Sequence, residues 1–446
     1  MDSLRCSGLW WIPENEENKI HGSLEFNSQK GCQIDLMGDL GFEGETPIIL
    51  GVTSSGENIT LIDNICIKSN TTYLTQDYSQ FKTSSIIANK MIEGLHFNRK
   101  DEIKFNKVSI NYSNIEEWFW AKDIDIDIEE NGCSIKFNHS LFKTINLDDG
   151  YKLSIHNRTK YPTMSFVQKE ASIYQNTYVT ISSEVISEYS QFEKLHMYAR
   201  NFISLGIGIP IKPLDIDAVV HYDNMPNKSV KVYFKCSEYK KEHILPPYML
   251  YNYRDIEDNI DLFINNWFNV YKKLEDVFDL YFGNQYSNNM YLNNKFSNYI
   301  QAIESYHRLS RVNISMNIDE HESRIASILE SAPEEHRAWL TSRLAYSNEP
   351  TLRDRLKELV RECNYILNLS SNKQKSFIYK VCNTRNYLTH YDPSLRDKCL
   401  DTIELIEICR LLKKILQHCL LYEIGFSEDE LMNIFSNPNK FIYESL

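Results

Sequence analysis

The sequence has little glycine and proline, with 15 Gly and 12 Pro among 446 residues. Its hydrophobic fraction is 42% and its aromatic fraction is 12%. Scarce breakers and abundant apolar side chains exclude a disordered or low-complexity chain. Because this length exceeds one ordinary core, we expect more than one domain.

Several chemical motifs are also absent. The ten cysteines stand singly and none forms a C-x-x-C pair, which argues against a zinc ribbon or a redox dithiol. There is no G-x-x-x-x-G-K-[ST] phosphate loop, no H-E-x-x-H zinc helix, no G-x-S-x-G elbow and no Rossmann glycine set. We therefore expect neither a metal nor a cofactor.

Long apolar runs are missing as well. No stretch approaches the 18 apolar residues of a membrane span. The first residues, MDSLRCSGLWWIPENEENK, lack the apolar core and cleavage site of a signal peptide. We expect a cytoplasmic protein with no membrane partner.

Acidic residues outnumber basic ones, and the net charge is −13. From Tyr286 onward there are 20 Lys and Arg against 21 Asp and Glu, which leaves 28 against 40 in the preceding part. A strongly acidic region binds nucleic acid poorly. If the chain contacts RNA, the nearly neutral second half is the better candidate.

Hydrophobic periodicity divides the chain in two. Up to about residue 180 the pattern alternates, as in KIHGSLEF, TPIILGV and ENITLIDNICIK, which predicts strands. A helix is predicted at Ser183–Leu205, and VVHYDN and SVKVYFKC return to strands. After Pro246 and Pro247 the strand signal stops. The predicted class is a multidomain α+β protein, with a β-rich domain over residues 1–250 and an all-helical domain over 251–446.

The helical half contains several amphipathic segments with apolar residues at spacings of three and four. The four that matter most are predicted at Ile256–Phe282, Asn294–Arg311, Lys373–His390 and Leu395–Ile424. Gly425 is the predicted stop of the last helix.

The segment TRNYLTHYDP carries the most distinctive chemistry. Asn386 and His390 are four residues apart and share a helix face, whereas Arg385 and His390 are about 140° apart. Pro393 disfavours helical geometry at Asp392, so the helix should fray after His390 and let the imidazole swing toward Arg385.

These residue types suit RNA cleavage. A histidine moves protons near neutral pH, and a guanidinium binds phosphate oxygens through two parallel hydrogen bonds. An amide can orient the imidazole. The ribose 2′-OH is itself the nucleophile, so no metal is needed. One Arg–Asn–His set contains a single proton-transfer group, whereas the reaction needs a base and an acid. This favours two copies of the set facing each other in a dimer.

R-x4-H at a helix end, with a polar residue after the Arg, resembles the HEPN superfamily. Its nuclease members use R-x4–6-H in a helical bundle and pair two motifs across a dimer. The layout resembles more closely the ApeA type, in which a β-rich N-terminal domain precedes a C-terminal HEPN domain in an anti-phage system. The resemblance implies an endoribonuclease of abortive infection with catalytic Arg385, Asn386 and His390. It also implies an RNA substrate such as tRNA or another structured RNA, a phage-derived trigger that is a protein, and a homodimer or higher oligomer.

Other interpretations remain open. Arg385 and His390 could lie on a solvated helix face, or the domain could bind RNA or a partner without cutting. Glu304, on a neighbouring helix, could support Arg385. Arg308 and Arg311 could contact the RNA backbone, although a solvated face is the simpler interpretation. Trp118 and Trp120 are predicted to share a strand face, as a stacking platform or as core packing.

Overall fold

The computed structural model describes residues 3–42, 44–73, 80–120, 124–130, 132–137, 143–161, 167, 172–222, 225–236, 243–287 and 289–441. The chain forms two compact units. The first consists of residues 1–207 and 211–258, and the second of residues 208–210 and 259–446.

Antiparallel strands dominate the first unit, as the alternating sequence pattern predicts. Twelve described strands form one sheet, and two more form a separate hairpin. The strands are β1 (Leu4–Trp11), β2 (Ile20–Asn27), β3 (Gly31–Leu36), β4 (Glu45–Thr53), β5 (Asn58–Tyr73), β6 (Gln80–Glu93), β7 (Lys104–Tyr112), β8 (Ile124–Glu129), β9 (Gly132–Phe137), β10 (Thr144–Asn146), β11 (Tyr151–Lys160), β12 (Tyr174–Glu188), β13 (Pro213–Tyr222) and β14 (Met225–Phe234).

The first six strands close into a barrel. They pair in the order β6-β3-β2-β1-β4-β5, and β5 pairs again with β6. The barrel interior holds a core cluster that includes Trp10, Leu24, Phe26, Ile49 and Met91, each with at most 1% of its surface exposed. Closure pairs both edges of the six strands over much of their length, which leaves little free edge for aggregation.

Small residues make room for Trp10 inside this barrel. A Cβ atom on Gly51 would lie 2.2 Å from the Trp10 ring, so only glycine fits there. The Trp10 indole N–H donates to the carbonyl of Gly22 at 3.3 Å. The buried indole is therefore both packed and hydrogen-bonded.

The remaining strands of the large sheet follow in the order β10-β11-β12-β7-β13-β14, and β14 joins β6. The helix α2 (Tyr189–Ile207) packs against β7 and β12. It begins six residues later than predicted because β12 continues to Glu188 along β7. Gly208 ends the helix with a φ of 89°.

The predicted strand face of Trp118 and Trp120 is wrong. Trp118 lies in the short helix α1 (Ile115–Phe119), and Trp120 follows it in the left-handed region. Trp118 is fully buried against Phe202 and Tyr253. Its role is core packing, while Trp120 is 38% exposed.

Helices make up the second unit, which confirms the predicted fold class. After α3 (Tyr253–Ile256) at the end of the first unit, they are α4 (Ile260–Lys273), α5 (Glu275–Tyr286), α6 (Leu292–Ser310), α7 (Ile318–Ser331), α8 (Glu334–Leu344), α9 (Leu352–Glu362), α10 (Asn364–Leu367), α11 (Ser371–His390), α12 (Thr402–Glu423) and α13 (Glu428–Ser436). Among the described residues, no helix is long and apolar enough to cross a bilayer.

Two predicted helices are shorter in the structure. Ile256–Phe282 is interrupted at Leu274, whose φ of −118° and ψ of 30° break the run between α4 and α5. Residues Pro393–Lys398 form a 3₁₀ segment, so α12 starts only at Thr402, where Asp401 and Glu404 form a capping box. Gly425 ends the last helix as predicted, with a φ of 110°.

Helix α6 lies at the centre of this unit. It packs against α5, α9, α11 and α12. Its buried face includes Tyr299, Ile303 and Tyr306, and Glu304 lies beside that face with 29% of its side chain exposed. The arrangement brings Glu304 next to α11.

Candidate active site at the end of helix α11

Helix α11 is held in place by its apolar face and ends at a defined residue. Phe377, Ile378 and Val381 are buried at helical spacing, which orients the polar face toward solvent. Tyr391 adopts a left-handed conformation with a φ of 51°, and its N–H donates to the carbonyl of Tyr387 at 2.6 Å. The helix therefore ends at His390, as the sequence predicts.

Pro393 restricts the backbone conformation of the residue that precedes it, just after the helix. Asp392 is extended, with a φ of −66° and a ψ of 114°, as expected for a residue before proline. Its carboxylate accepts a hydrogen bond from the backbone N–H of Ser394 at 2.9 Å, and hydrogen bonds from Ser394 hold the pKa of Asp392 below its ordinary value. Asp392 is therefore an anion two residues from His390.

Arg385 contacts two of the predicted residues. Its Nη2 donates to the carboxylate oxygens of Glu304 at 3.2 and 3.3 Å, and its Nη1 donates to Oδ1 of Asn386 at 3.2 Å. The Arg385 side chain is 35% exposed. A partly exposed ion pair contributes at most about 1 kcal/mol to stability, so this contact orients the guanidinium more than it stabilises the fold.

His390 stands apart from this group. It is exposed and makes no hydrogen bond or ion pair within the part of the chain that the structure describes. The predicted fraying after His390 is absent, because the left-handed Tyr391 closes the last turn. Hydrogen bonds join Glu304, Arg385 and Asn386 into a cluster, and none links His390 to it among the described residues.

Behind Glu304 lies a buried polar network that the sequence did not predict. Arg355 Nη1 donates to His307 Nδ1 at 3.0 Å, and His307 Nε2 lies 3.0 Å from Glu358. Arg355 also donates to Oδ1 of Asn313 at 2.6 Å. Arg355 is only 2% exposed and His307 is fully buried. Arg355 shares a helix face with Leu352 and Leu359, so the spacing places it on the apolar side although arginine is usually exposed.

Arg308 lies on the exposed face of α6, with 58% of its side chain accessible, whereas Arg311 is largely buried. Arg308 pairs with Glu349 at 2.6 Å. Arg311 pairs with Glu362 at 3.0 Å and with Glu423 at 3.3 Å, and its side chain is only 20% exposed. These ion pairs link α6 to its neighbours.

A basic groove runs between α9 and α11. Its volume is about 570 Å³, and its lining includes Arg353, Lys357, Arg361 and Lys375 against two acids, Asp354 and Glu358. The acids are engaged, because Asp354 pairs with Lys357 and Glu358 with His307. Burial raises the pKa of the Cys382 thiol, and the positive charges of Arg353 in the groove and Arg385 in the candidate site both oppose this rise.

Two family models match the chain. ApeA N-terminal domain 1 matches residues 5–267, and Apea-like HEPN matches residues 297–430. No curated protein and no solved structure matches the chain. The first match covers more than half of the 446 residues, and the second includes α11 and most of α6.

Proposed function

The chain belongs to the family of ApeA-like HEPN proteins, and from that premise we propose that it is a metal-independent endoribonuclease of anti-phage defence. The proposed catalytic residues are Arg385, Asn386 and His390, with Glu304 as a positioning residue. Residues 1–250 form the sensor domain and residues 251–446 the nuclease domain. The protein acts in the cytoplasm by abortive infection, and it cleaves tRNA or another structured RNA.

One observation carries this proposal. Arg385 is held by Glu304 and Asn386 but stays 35% exposed, at the same helix end as the exposed His390. An oriented guanidinium can bind a phosphate through parallel N–H donors. An exposed imidazole with no hydrogen-bond partner among the described residues is available to move a proton.

The proposed reaction is attack by the ribose 2′-OH on the adjacent phosphorus. The 2′-oxygen loses its proton to a base, the bond to the 5′-oxygen breaks, and that oxygen gains a proton from an acid. Arg385 stabilises the charge that develops on the non-bridging oxygens. The products are a 2′,3′-cyclic phosphate and a 5′-OH.

Such a reaction requires no catalytic metal, which leads to a direct test. Cleavage by the purified protein should persist in EDTA. Loss of activity in EDTA that magnesium alone restores would contradict the mechanism.

We further propose that two chains supply the active site together. One imidazole serves as base and the other as acid, because one chain provides a single His390. The rate per chain should fall on dilution below the dimer dissociation constant. A monomer that retains the full rate would contradict a shared site.

The groove between α9 and α11 supports RNA as the substrate. In the described structure Arg353, Arg361 and Lys375 form no ion pair, and the N-terminus of α11 borders the same groove. Unpaired basic side chains and helix N-termini both attract phosphate.

The acidic first part of the chain points to regulation. We propose that the β-rich domain restrains the nuclease until it meets a phage-derived trigger, which we expect to be a protein. Expression of residues 251–446 should then be more toxic to the host than the full chain. Equal toxicity would argue against restraint by the N-terminal domain.

The decisive experiment challenges bacteria with phage while they carry the natural chain, His390→Ala or the control His336→Ala. His336 is an exposed histidine on α8 and serves as a matched surface position. New 5′-OH RNA ends and resistance should require His390 but not His336. Resistance without new ends in the His390 variant would favour the rival function, a module that binds without cutting.

A further inference from the structure

Three buried side chains converge at a second place in the helical unit. Cys363 lies at the end of α9, and His418 and Cys419 are adjacent on α12. Their exposed fractions are 0%, 6% and 1%. The two sulfur atoms and a ring nitrogen lie within 4.8 Å of one another. Because the sequence separates Cys363 from the other two by more than fifty residues, no motif spacing reveals the group.

We propose that Cys363, His418 and Cys419 bind a zinc ion that links α9 to α12. Zinc bonds to sulfur at about 2.3 Å and to nitrogen at about 2.0 Å, so the ligand atoms of a tetrahedral site lie about 3.5 to 4 Å apart. Cys363 Sγ lies 3.1 Å from His418 Nδ1. Small adjustments of the side chains therefore open the site to the ion.

The surroundings of His418 suit a metal ligand. Its Nε2 lies 2.7 Å from the hydroxyl oxygen of Tyr365. Histidines that bind metal through one nitrogen commonly donate the other N–H to an acceptor, which fixes the tautomer and ring orientation. Nδ1 then faces the two sulfur atoms as the ligand, and Nε2–H donates to Tyr365.

The two cysteines supply thiol sulfurs, which are ligands that zinc binds readily. Zinc binding releases the protons of both thiols, so the ion gains two thiolates and one neutral imidazole. Arg311 is paired with Glu362 and Glu423, so these carboxylates offset the repulsion between its positive charge and the zinc ion.

A fourth ligand can come from solvent. A cavity of about 370 Å³ borders His418 and is lined by Arg311, Glu362, Tyr365, His418, Tyr422 and Glu428. Three protein ligands and one water complete a tetrahedral site.

This site is distinct from the proposed nuclease centre. Arg311, the residue that follows the last turn of α6, lies seven residues beyond Glu304, about 10 Å along the helix axis. Zinc here would support the packing of α9 and α12 and would not contact the RNA. The readout of its test is therefore metal content, which does not depend on cleavage.

The test measures zinc in the full chain purified from zinc-supplemented cells without chelator. We expect about one zinc ion per chain, and its loss in Cys363→Ser, His418→Gln and Cys419→Ser. Cys409→Ser is the matched control, because Cys409 is equally buried on the same helix but is not part of the group. Retention of zinc by all three variants would overturn the assignment.

A second measurement keeps the proposal testable if a variant does not fold. The natural chain, stripped of zinc and titrated with Co²⁺, should show thiolate-to-cobalt charge transfer and the visible bands of a tetrahedral site. Absence of both zinc and these bands would overturn the proposal. So would a Cys363–Cys419 disulfide in the purified chain, since that bond removes both thiolate ligands.

Discussion

His307 and His390 lie in two regions of the helical unit that differ in solvent access and bonding. Around His307, the buried Arg355 and the partly exposed Glu358 form a network in which each group has a partner. Around His390, the imidazole is exposed, and the Arg385 guanidinium is partly exposed although Glu304 and Asn386 both bond to it. The buried groups are needed for the fold because their removal leaves neighbours unpaired, whereas the exposed groups add little stability and are available for chemistry.

The largest expected effect is on catalysis. Arg385→Ala should lower the rate of RNA cleavage on the order of 10³-fold, because the charge on the phosphate oxygens loses its donor. The free energy of unfolding should change by less than about 0.5 kcal/mol. Cleavage assays and urea titrations measure the two quantities.

Arg385→Lys sharpens the same test. A lysine keeps the charge but lacks the planar fork, so it should restore only part of the rate. Full activity in the Ala variant would show that the end of α11 is not the active site.

For the buried network around His307 we expect a large loss of stability. Arg355→Ala should destabilise the helical unit by about 3 to 5 kcal/mol, because His307, Asn313 and Glu349 lose a shared charged partner. Thermal unfolding of the full chain measures this loss. Arg353→Ala, in the groove on the same helix, is the control and should leave the unfolding temperature nearly unchanged. Equal stability of the two variants would contradict the comparison.

A buried histidine in the first unit extends the comparison to pH. Burial lowers the pKa of His196 to about 4, despite the hydrogen bond from its Nε2–H to the carbonyl of Val108 at 3.0 Å. In the unfolded chain the same imidazole takes up a proton near pH 6.5. Its contribution to the free energy of unfolding is therefore fully present above pH 6.5 and is lost as the pH falls toward 4. The loss should reach about 3 kcal/mol.

His196→Gln should reduce the pH dependence of unfolding, as measured by urea titrations between about pH 7 and about pH 4.5. The pKa of His156 is also lowered to about 4, so some dependence remains in the variant. The exposed His21 is the control, and His21→Gln should behave like the natural chain. An unchanged slope in His196→Gln would mean that this imidazole is not kept neutral by the fold.

A smaller effect is expected from the residue that orients Arg385. Glu304→Gln should lower kcat about tenfold without raising KM, because the guanidinium loses its charged partner while substrate contacts remain. The exposed Glu330 on α7 provides the control variant Glu330→Gln. A rise in KM with unchanged kcat would indicate that Glu304 acts on substrate binding instead.

The smallest effect is expected in the basic groove. Arg361→Gln combined with Lys375→Gln should raise KM several-fold and reduce the slope of log affinity against log salt by about 1.5. Arg324→Gln with Arg343→Gln removes the same charge from the exposed α7 and α8. An equal change in that control would mean that net charge, and not the groove, governs RNA binding.

Local patterns predicted much of the fold. The alternating segments correspond to β2, β4 and β5, and the helix end at His390 follows from Pro393. Barrel closure could not be predicted, because β6 pairs not only with its neighbour β5 but also, along its other edge, with the distant β3. The strand predicted at Trp118 and Trp120 is wrong, because Trp118 is buried through contacts with the distant Phe202 and Tyr253 that no local pattern reveals.

Local sequence also predicted part of the candidate site, while the parts that depend on distant residues could not be predicted. Arg385, Asn386 and His390 are close in sequence, and the ion pair of Arg385 with Glu304 was a hypothesis from neighbouring helices. The closed last turn at His390 depends on the left-handed Tyr391, a conformation that residues other than glycine rarely adopt. The partners of the buried Arg355 could not be predicted, because His307 and Asn313 are distant in sequence.

The pairing of β6 has a consequence for how the first unit opens. Residues 84–88 of this strand pair with β3 inside the barrel, while residues 90–93 pair with β14 of the adjoining sheet. Because β6 belongs to both the barrel and the adjoining sheet, their hydrogen-bond ladders are coupled. Separating β5 from β6 would also weaken the pairing of β6 with β14. We expect barrel and sheet to behave as one cooperative foldon, in which the amide hydrogens of residues 90–93 exchange with solvent only through global unfolding.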